Sequence, residues 1–284
     1  MASPAPSSPR HAGIQPRGFL LALTADWRVV RASMNAAHFI PGLDGKIIDR
    51  PLCESFGNEA VHALRNRFSL LRDAEGVARL FSLQPAGASG AIDIMMHRVG
   101  SEIIIEGHPR GGQESGDPIG LVRELARRLD AHPGRSDFLQ EAARQLRALT
   151  GFESVTLFQY DGEGGAAMAA HCARGELPPA VPPSTSDFGL RFISQCDEPP
   201  VAISPSAELE FLNGCFLRAP TDSERAEMGS AVSMLRLPLH AGNELLGIAI
   251  CVDRTPRQIS LERIAAAELL ADLVALRLAI LDRR

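Results

Sequence analysis

The order of apolar and polar residues predicts strands and helices in two successive stretches of the chain. In the first stretch, strands are predicted at 19–23, 27–33, 78–83, 91–97 and 102–106. Apolar residues at helical spacing predict a helix at 60–71, and Asn35 is placed to cap a short helix at 35–39. The first stretch therefore runs from two strands through small helices to three strands.

The second stretch is framed by helices, which are predicted at 119–129, from Ser136 or Asp137 to 150, and from Ser260 to the end. A capping box of Asp137 and Gln140 is expected to begin the second helix, and Gly151 to end it. Strands are predicted at 155–160, 166–172, 232–239 and 245–252. The region 173–229 reads as irregular, with one short helix at 190–195. Hairpins flanked by helices indicate an α+β fold.

A segment rich in glycine and bounded by prolines separates the two stretches at 108–118. We therefore expect a disordered N-terminal segment at 1–13, a first domain at 14–107, a linker at 108–118 and a second domain at 119–284. The length of 284 residues suits two domains of ordinary size.

Composition narrows the range of partners and compartments. The chain is 45% hydrophobic and 22% charged, with a formal net charge of -5, which favours neither nucleic acid nor an anionic membrane as a partner. Residues 1–13 lack the apolar core of a signal peptide, and no apolar run reaches the roughly 18 residues of a membrane span. The five cysteines are scattered without metal-binding spacing. We expect free thiols, no bound metal and a cytoplasmic location.

The last predicted helix carries more apolar surface than packing on one sheet requires. Its apolar residues cover more than one face: Leu269, Leu270, Leu273, Val274, Leu276, Leu278, Ile280 and Leu281. We expect this helix, at 260–284, to join two copies of the chain as a homodimer. Cover by residues downstream of Arg284 is the alternative.

Several short segments of the first stretch resemble the PAS domain of bacterial phytochromes, the bilin-binding red-light receptors. Residues 14–18 (IQPRG) resemble the family's IQPHG box except at Arg17, and residues 29–35 (VVRASMN) resemble its VVQASAN segment. Residues 93–106 resemble the family's hairpin with its HR pair and following glutamates.

The second stretch resembles the GAF domain of the same family, at 149–161, Ser186-Asp187, 215–218 and 246–251. The resemblance covers nearly the whole chain and implies a PAS domain followed by a GAF domain, each an antiparallel sheet with flanking helices. It allows the family's knot, in which the N-terminal segment threads through a GAF loop. It also implies a photoreceptor-related role in sensory transduction.

The cysteine that would hold a bilin covalently is missing from the expected place. The family attaches biliverdin through a cysteine ahead of the IQP box, whereas residues 1–52 contain no cysteine. Plant and cyanobacterial relatives use a GAF cysteine followed by histidine, but Cys215 is followed by Phe216. We interpret Cys215 as a buried small hydrophobe and expect no covalent attachment.

Several residues that the resemblance implies for non-covalent contact with a bilin are also missing. An acidic run at 222–225 stands where the family has its pocket histidine, and Val252 replaces a second histidine. The arginine expected for a propionate falls at Ala202; Arg191 or Arg236 could replace it, although we expect surface positions for both.

Four residues remain as candidates for contact with a ligand: Asp187, Phe188, Phe158 and Arg191. Asp187 could equally cap a helix, and the phenylalanines could equally belong to the core. No nucleophile elbow, Walker loop or HExxH motif is present, so we do not expect an enzyme.

The preferred hypothesis is a phytochrome-like PAS–GAF sensory or scaffold module that does not hold a bilin covalently, with a chromophore-free state as one form of it. It would act through contact with an unidentified signalling protein or a downstream output domain. One alternative is a red/far-red photoreceptor that binds biliverdin non-covalently. The other is a GAF domain that binds a different small ligand.

Overall fold

The computed structural model describes residues 13–41, 43, 47–72, 76–110, 117–160, 165–182, 189–207 and 209–282. The chain forms two compact units: residues up to 110 with 198–219, and residues 111–197 with 220–284. The first change of unit falls inside the predicted linker at 108–118. The segment 198–219, which the sequence placed in the second domain, belongs to the first unit. Of the predicted disordered segment 1–13, all residues except Gly13 lie outside the described ranges.

The strands, in chain order, are β1 Gly13–Ile14, β2 Phe19–Leu23, β3 Val29–Ser33, β4 Ala78–Leu83, β5 Ile92–Val99, β6 Glu102–Pro109, β7 Ser154–Tyr160, β8 Ala166–Ala173, β9 Arg191–Ile193, β10 Val201–Ser204, β11 Ser233–Ala241 and β12 Glu244–Asp253. The helices are α1 Ala36–Phe39, α2 Cys53–Phe56, α3 Asn58–Phe68, α4 Pro118–Asp130, α5 Arg135–Thr150, α6 Leu209–Leu212, α7 Asp222–Met228 and α8 Leu261–Leu281. The predicted α+β class is confirmed.

The first unit is built on a seven-stranded antiparallel sheet in the order β1-β10-β3-β2-β6-β5-β4. Successive residues of a strand point to opposite faces, so each strand contributes alternate side chains to each face. One face packs against α1, α2 and α3 in an apolar core that includes Phe19, Leu21, Ile94 and Ile105. The alternation of Ile92, Ile94 and Met96 with Asp93 predicted β5 from the sequence.

The opposite face of this sheet carries four buried polar side chains: Asp93, His97, Glu106 and His108. Residues 215–217 meet this face. The Glu106 carboxylate accepts hydrogen bonds from the backbone N–H groups of Phe216 (2.9 Å) and Leu217 (2.6 Å). Charge-assisted bonds of this kind fasten the later segment to the sheet.

Strand β10 lies between β1 and β3, although it comes far later in the chain. Its register joins Ala202 to Gly13 and Ile203 to Ser33. This pairing brings Gly13 and Ile14, at the start of the IQPRG segment, against a distant strand. The predicted knot involves residues of the region 183–188, which lie outside the described residues, and it stays a prediction.

The second unit contains a five-stranded antiparallel sheet in the order β8-β7-β12-β11-β9. Helices α4, α5 and α8 contact one another, α8 packs against β11, and α5 packs against β7 and β8. Gly151, at φ 74°, ends α5 in the left-handed conformation as predicted. Within the described ranges, none of the helices combines the length and apolar character needed to cross a membrane.

The short helix predicted at 190–195 was wrong. Residues 191–193 instead form β9, because Arg191 and Phe192 pair with Arg236 and Leu235 of β11. Pairing with a distant strand thus overrides a weak local helical pattern. The surrounding region, predicted as irregular, also contains β10, α6 and α7.

Two predicted helix caps were also wrong. The Asn35 side chain makes no cap and instead donates hydrogen bonds to the carbonyls of Pro16 (3.0 Å) and Gly18 (2.8 Å). Helix α5 begins one residue early, with Gly134 as its N-cap, so the expected capping box of Asp137 does not form. At Asn35 a neighbouring part of the chain decides what the polar side chain binds.

Candidate functional site

One face of the second sheet carries an apolar cluster, to which four strands contribute Phe158, Ile193, Met234, Ile248, Ile250 and Val252. The register places them on the same face, since Phe158 pairs with Ile248, and Val252 pairs with Met234. Leu177, Met228 and Ala231, from outside the strands, pack on this cluster. We call this surface, together with Arg191 and Arg236, the candidate face.

The candidate face also buries two arginines. Arg191 of β9 and Arg236 of β11 lie directly opposite each other, and Arg236 pairs on its other side with Ile250. Arg191 is 2% exposed and Arg236 is 1% exposed, so the surface positions expected for both were wrong. A guanidinium that cannot lose its proton is buried when carboxylates or carbonyls meet its charge.

Glu224 of α7 meets the charge of Arg191. Its Oε1 lies 2.8 Å from Arg191 Nε, and its Oε2 lies 3.4 Å from Arg191 Nη2, so the carboxylate faces the guanidinium with both oxygens. Glu224 is itself 3% exposed. Two-point contact of this kind is the strongest form of arginine–carboxylate binding.

The same carboxylate closes the N-terminus of α7. Thr221 is the N-cap: its hydroxyl accepts from Glu224 N (3.2 Å), and Glu224 Oε2 accepts from Thr221 N (2.8 Å). The capping box therefore fixes the Glu224 side chain in the orientation that binds Arg191.

Arg236 and Tyr160 extend the polar part of the candidate face. Arg236 Nε donates to the carbonyl of Gly189 at 3.3 Å. Burial raises the pKa of the Tyr160 hydroxyl, while the charge of Arg236 lowers it and that of Glu227 raises it. The phenol therefore shares its surroundings with one cation and one anion, and it stays protonated at neutral pH.

The candidate ligand residues named from the sequence have different surroundings. Phe158 is buried within the apolar cluster, and Arg191 lies on the same face, with strands β12 and β11 between them. Asp187 and Phe188 lie outside the described residues. Val252, at the position of a family histidine, is also part of the cluster.

Sequence reasoning missed Glu224 as a partner of Arg191. The acidic run at 222–225 was read as the loss of a histidine, although Thr221 followed by a glutamate three residues later is a capping-box pattern. That pattern could have located α7 and the orientation of Glu224. It could not have named Arg191 as the partner, because the contact depends on the pairing of β9 with β11.

The chemistry of the candidate face follows from this arrangement. An arginine fork suited to a carboxylate or a phosphate is present, but an internal carboxylate binds it at both oxygens. An anionic ligand would therefore have to displace Glu224, which would leave a buried carboxylate to be compensated elsewhere.

A second polar cluster lies in the first unit and combines three residues that can ligate metals. His97, Glu106 and Cys215 are buried, and one ligand atom from each lies within 4.8 Å of the others. Cys215 Sγ is 3.8 Å from His97 Nε2, and Glu106 Oε1 is 3.6 Å from His97 Nδ1. Burial lowers the pKa of His97 to about 4, so its imidazole is neutral at pH 7. The sequence placed His97 and Glu106 in one hairpin segment and Cys215 in another, and it showed no link between the two segments.

Comparison with protein families matches both parts of the chain. The GAF domain family matches residues 134–278, and a family described as the PAS fold matches residues 9–109. The predicted order of a PAS domain followed by a GAF domain is therefore confirmed.

Solved structures match the chain over almost its full length. The chromophore-binding domain of a bacteriophytochrome from R. palustris has a TM-score of 0.78 at 21% identity, covering 97% of this chain and 98% of that one. A longer structure of the R. palustris protein has a TM-score of 0.79 at 21% identity and covers 97% of this chain, which spans 60% of its length. A variant chromophore-binding domain of the Stigmatella aurantiaca bacteriophytochrome, in the Pr state, has a TM-score of 0.80 at 20% identity, with 96% and 98% covered. At these identities the likeness shows a shared fold.

Proposed function

Because the chain belongs to the GAF domain family and carries a PAS domain ahead of its GAF domain, we propose that it is a phytochrome-like sensory or signalling module without a covalently attached bilin. In this proposal the protein acts through contact with another protein and not as an enzyme. The absence of a chromophore is the favoured form of the proposal.

The observation that carries the proposal is the buried pair of Arg191 and Glu224. Arg191 is one of the two arginines that could replace the missing propionate arginine, and its fork already binds a carboxylate of the chain itself. Displacing a bidentate, buried partner costs more than binding at an open fork, because an unpaired buried carboxylate is strongly unfavourable. This arrangement of the candidate face therefore favours a protein without bound biliverdin, whose propionates would need the arginine.

Two further features support this proposal. Residues 1–52 offer no thiol for attachment, and Cys215 is 3% exposed next to His97 in the first unit. Val252, where the family has a histidine, adds an apolar side chain to the cluster and offers a pyrrole no hydrogen bond.

The test is co-expression with a biliverdin source, followed by absorption spectroscopy and a zinc-stained denaturing gel. We expect neither a red-absorbing band nor zinc fluorescence, because the arginine fork is bound internally and no attachment thiol is available. A red band that photoconverts, and that weakens in Arg191→Met, would show non-covalent biliverdin binding and reject the chromophore-free form. Zinc fluorescence would reject the loss of covalent attachment.

We also propose that α8 joins two copies of the chain. Its exposed apolar residues are Leu269, Leu273, Leu276 and Ile280, each between 37% and 50% exposed. Their spacing of four, three and four residues is the stripe by which one helix packs on another in a two-helix seam. A second copy presents the same stripe, so the two faces complement each other.

Light scattering tests the homodimer. We expect the doubly substituted Leu273→Arg, Leu276→Arg chain to have half the mass of the wild type, since two charges would be buried in an apolar seam. Leu70→Arg is the matched control, because Leu70 is 67% exposed in the first unit and lies outside the stripe. Equal masses for all three proteins would reject the α8 interface.

A further inference from the structure

We propose that His97, Glu106 and Cys215 form a Zn²⁺ site that fastens residues 215–217 to the first sheet. Thiolate, imidazole and carboxylate are the three side-chain ligands that zinc takes in proteins. Here they come from β5, from β6 and from the segment that follows α6. The site lies entirely within the first unit.

The three residues bring one ligand atom each into a small buried volume, within 4.8 Å of one another. Ligands at about 2.3 Å for sulfur and about 2.0 Å for nitrogen in tetrahedral geometry lie about 3.5 Å apart. Cys215 Sγ lies 3.8 Å from His97 Nε2, whereas the 3.6 Å contact of Glu106 Oε1 is to the other ring nitrogen, Nδ1. Zinc binds one of the two ring nitrogens, so binding requires the separations between the ligand atoms to shorten by up to about 1 Å.

The charges of the cluster also suit a divalent cation. A thiolate, a carboxylate and a neutral imidazole sum to two negative charges, which Zn²⁺ neutralises, and a water molecule would complete the tetrahedral coordination. The Glu106 carboxylate accepts hydrogen bonds from the N–H groups of Phe216 and Leu217, which fix its position beside His97 and Cys215.

Binding is a ligand exchange without oxidation or reduction. The thiol proton of Cys215 leaves to solvent as the S–Zn bond forms, and the weak contact from Cys215 Sγ to the carbonyl of Phe211, 3.8 Å away, is given up. Because a proton is released, the affinity for zinc should fall as the pH is lowered. The ion would link chain segments more than a hundred residues apart, since His97 and Cys215 are separated by 118 positions.

The experiment uses the full chain, freed of metal with a chelator and titrated with Zn²⁺ against a chromogenic competitor. We expect one zinc per chain and a rise in the thermal unfolding temperature with zinc. Cys215→Ser and His97→Gln should each lower the affinity by more than about 100-fold, the upper limit for the loss of an outer-shell partner. Cys53→Ser is the control, because Cys53 is a partly buried thiol of the first unit outside the cluster.

Cobalt titration keeps the test decisive if a variant fails to fold. Co²⁺ bound by a thiolate gives a sulfur-to-cobalt charge-transfer band, which the wild type should show and Cys53→Ser should keep. The proposal is overturned if the wild type shows no such band, if it binds zinc no more tightly than folded Cys215→Ser, or if Cys53→Ser loses the band.

Discussion

At the scale of single residues, Glu224 performs two tasks with one carboxylate. It neutralises Arg191 on the sheet and accepts the hydrogen bond that closes α7. Removing the Glu224 carboxylate would leave the buried Arg191 without its anionic partner. It would also leave the Thr221 N–H at the start of α7 without its acceptor.

We therefore predict that Glu224→Ala lowers the free energy of unfolding by about 3–5 kcal/mol, the cost of leaving a buried charge without its partner. Replacing both partners, as in Arg191→Met with Glu224→Met, should cost less than Glu224→Ala alone. Urea denaturation measures both effects. Glu54→Ala is the control: its pair with Arg50 is exposed, so the change should stay below about 1 kcal/mol. Equal effects for Glu54→Ala and Glu224→Ala would contradict the prediction.

The sequence could name Arg191 but not its surroundings. Arginine is usually found at the surface, and the local pattern around 191 contains no carboxylate partner. The partner lies 33 positions later, on α7, and local sequence does not show that the two residues meet. Phe158 was easier, because a phenylalanine inside a predicted strand usually belongs to the core.

At the scale of elements, local sequence predicts long helices and hairpins but does not predict the shortest strands and helices. Long helices and hairpins such as α8 and β11–β12 were placed close to their observed limits, since many residues contribute to each pattern. The three residues of β9 have no pattern of their own and become a strand through pairing with β11. Seven-residue α7 is held by its cap as much as by its sequence.

We predict that Thr221→Ala lowers the free energy of unfolding by about 1 kcal/mol, because the Glu224 amide loses its acceptor. Thr221→Ser keeps a hydroxyl at the same place and should stay close to the wild type. Thermal or urea unfolding followed by circular dichroism gives both values. A serine variant as unstable as the alanine variant would show that the methyl group, and not the cap, is responsible.

At the scale of the whole molecule, two buried histidines of the first unit tie stability to pH. Burial lowers the pKa of both His97 and His108 to about 4, from 6.5. The unfolded chain therefore binds more protons than the folded one between these values. The histidine contribution to the free energy of unfolding is fully present above about pH 6.5, and it is lost as the pH falls toward 4.

The expected loss is up to about 3 kcal/mol for each histidine over that range. Urea denaturation at pH 7 and pH 4.5, with a chelator present, measures the slope. His108→Gln removes one titrating group and should reduce the difference between the two pH values by about half. An unchanged difference in that variant would show that other groups cause the acid sensitivity.

The overall architecture was predictable because many weak signals agreed. The order of strands and helices, the glycine-rich separator and the family boxes all indicated two α+β domains. The transfer of 198–219 to the first unit was not predictable in the same way, because it depends on the pairing of β10 with β1 and β3. The sequence of Val201–Ser204 alone does not predict which strands it pairs with.

The position of β10 has a consequence for synthesis on the ribosome. The other six strands of the first sheet end at Pro109, whereas β10 ends at Ser204. At about 5–20 residues per second, roughly 5 to 20 s of translation separate these points. During that interval the nascent chain exposes the β10-pairing edge of β3 and the Glu106 carboxylate without its later backbone donors, so this is when a chaperone has most opportunity to bind the first unit.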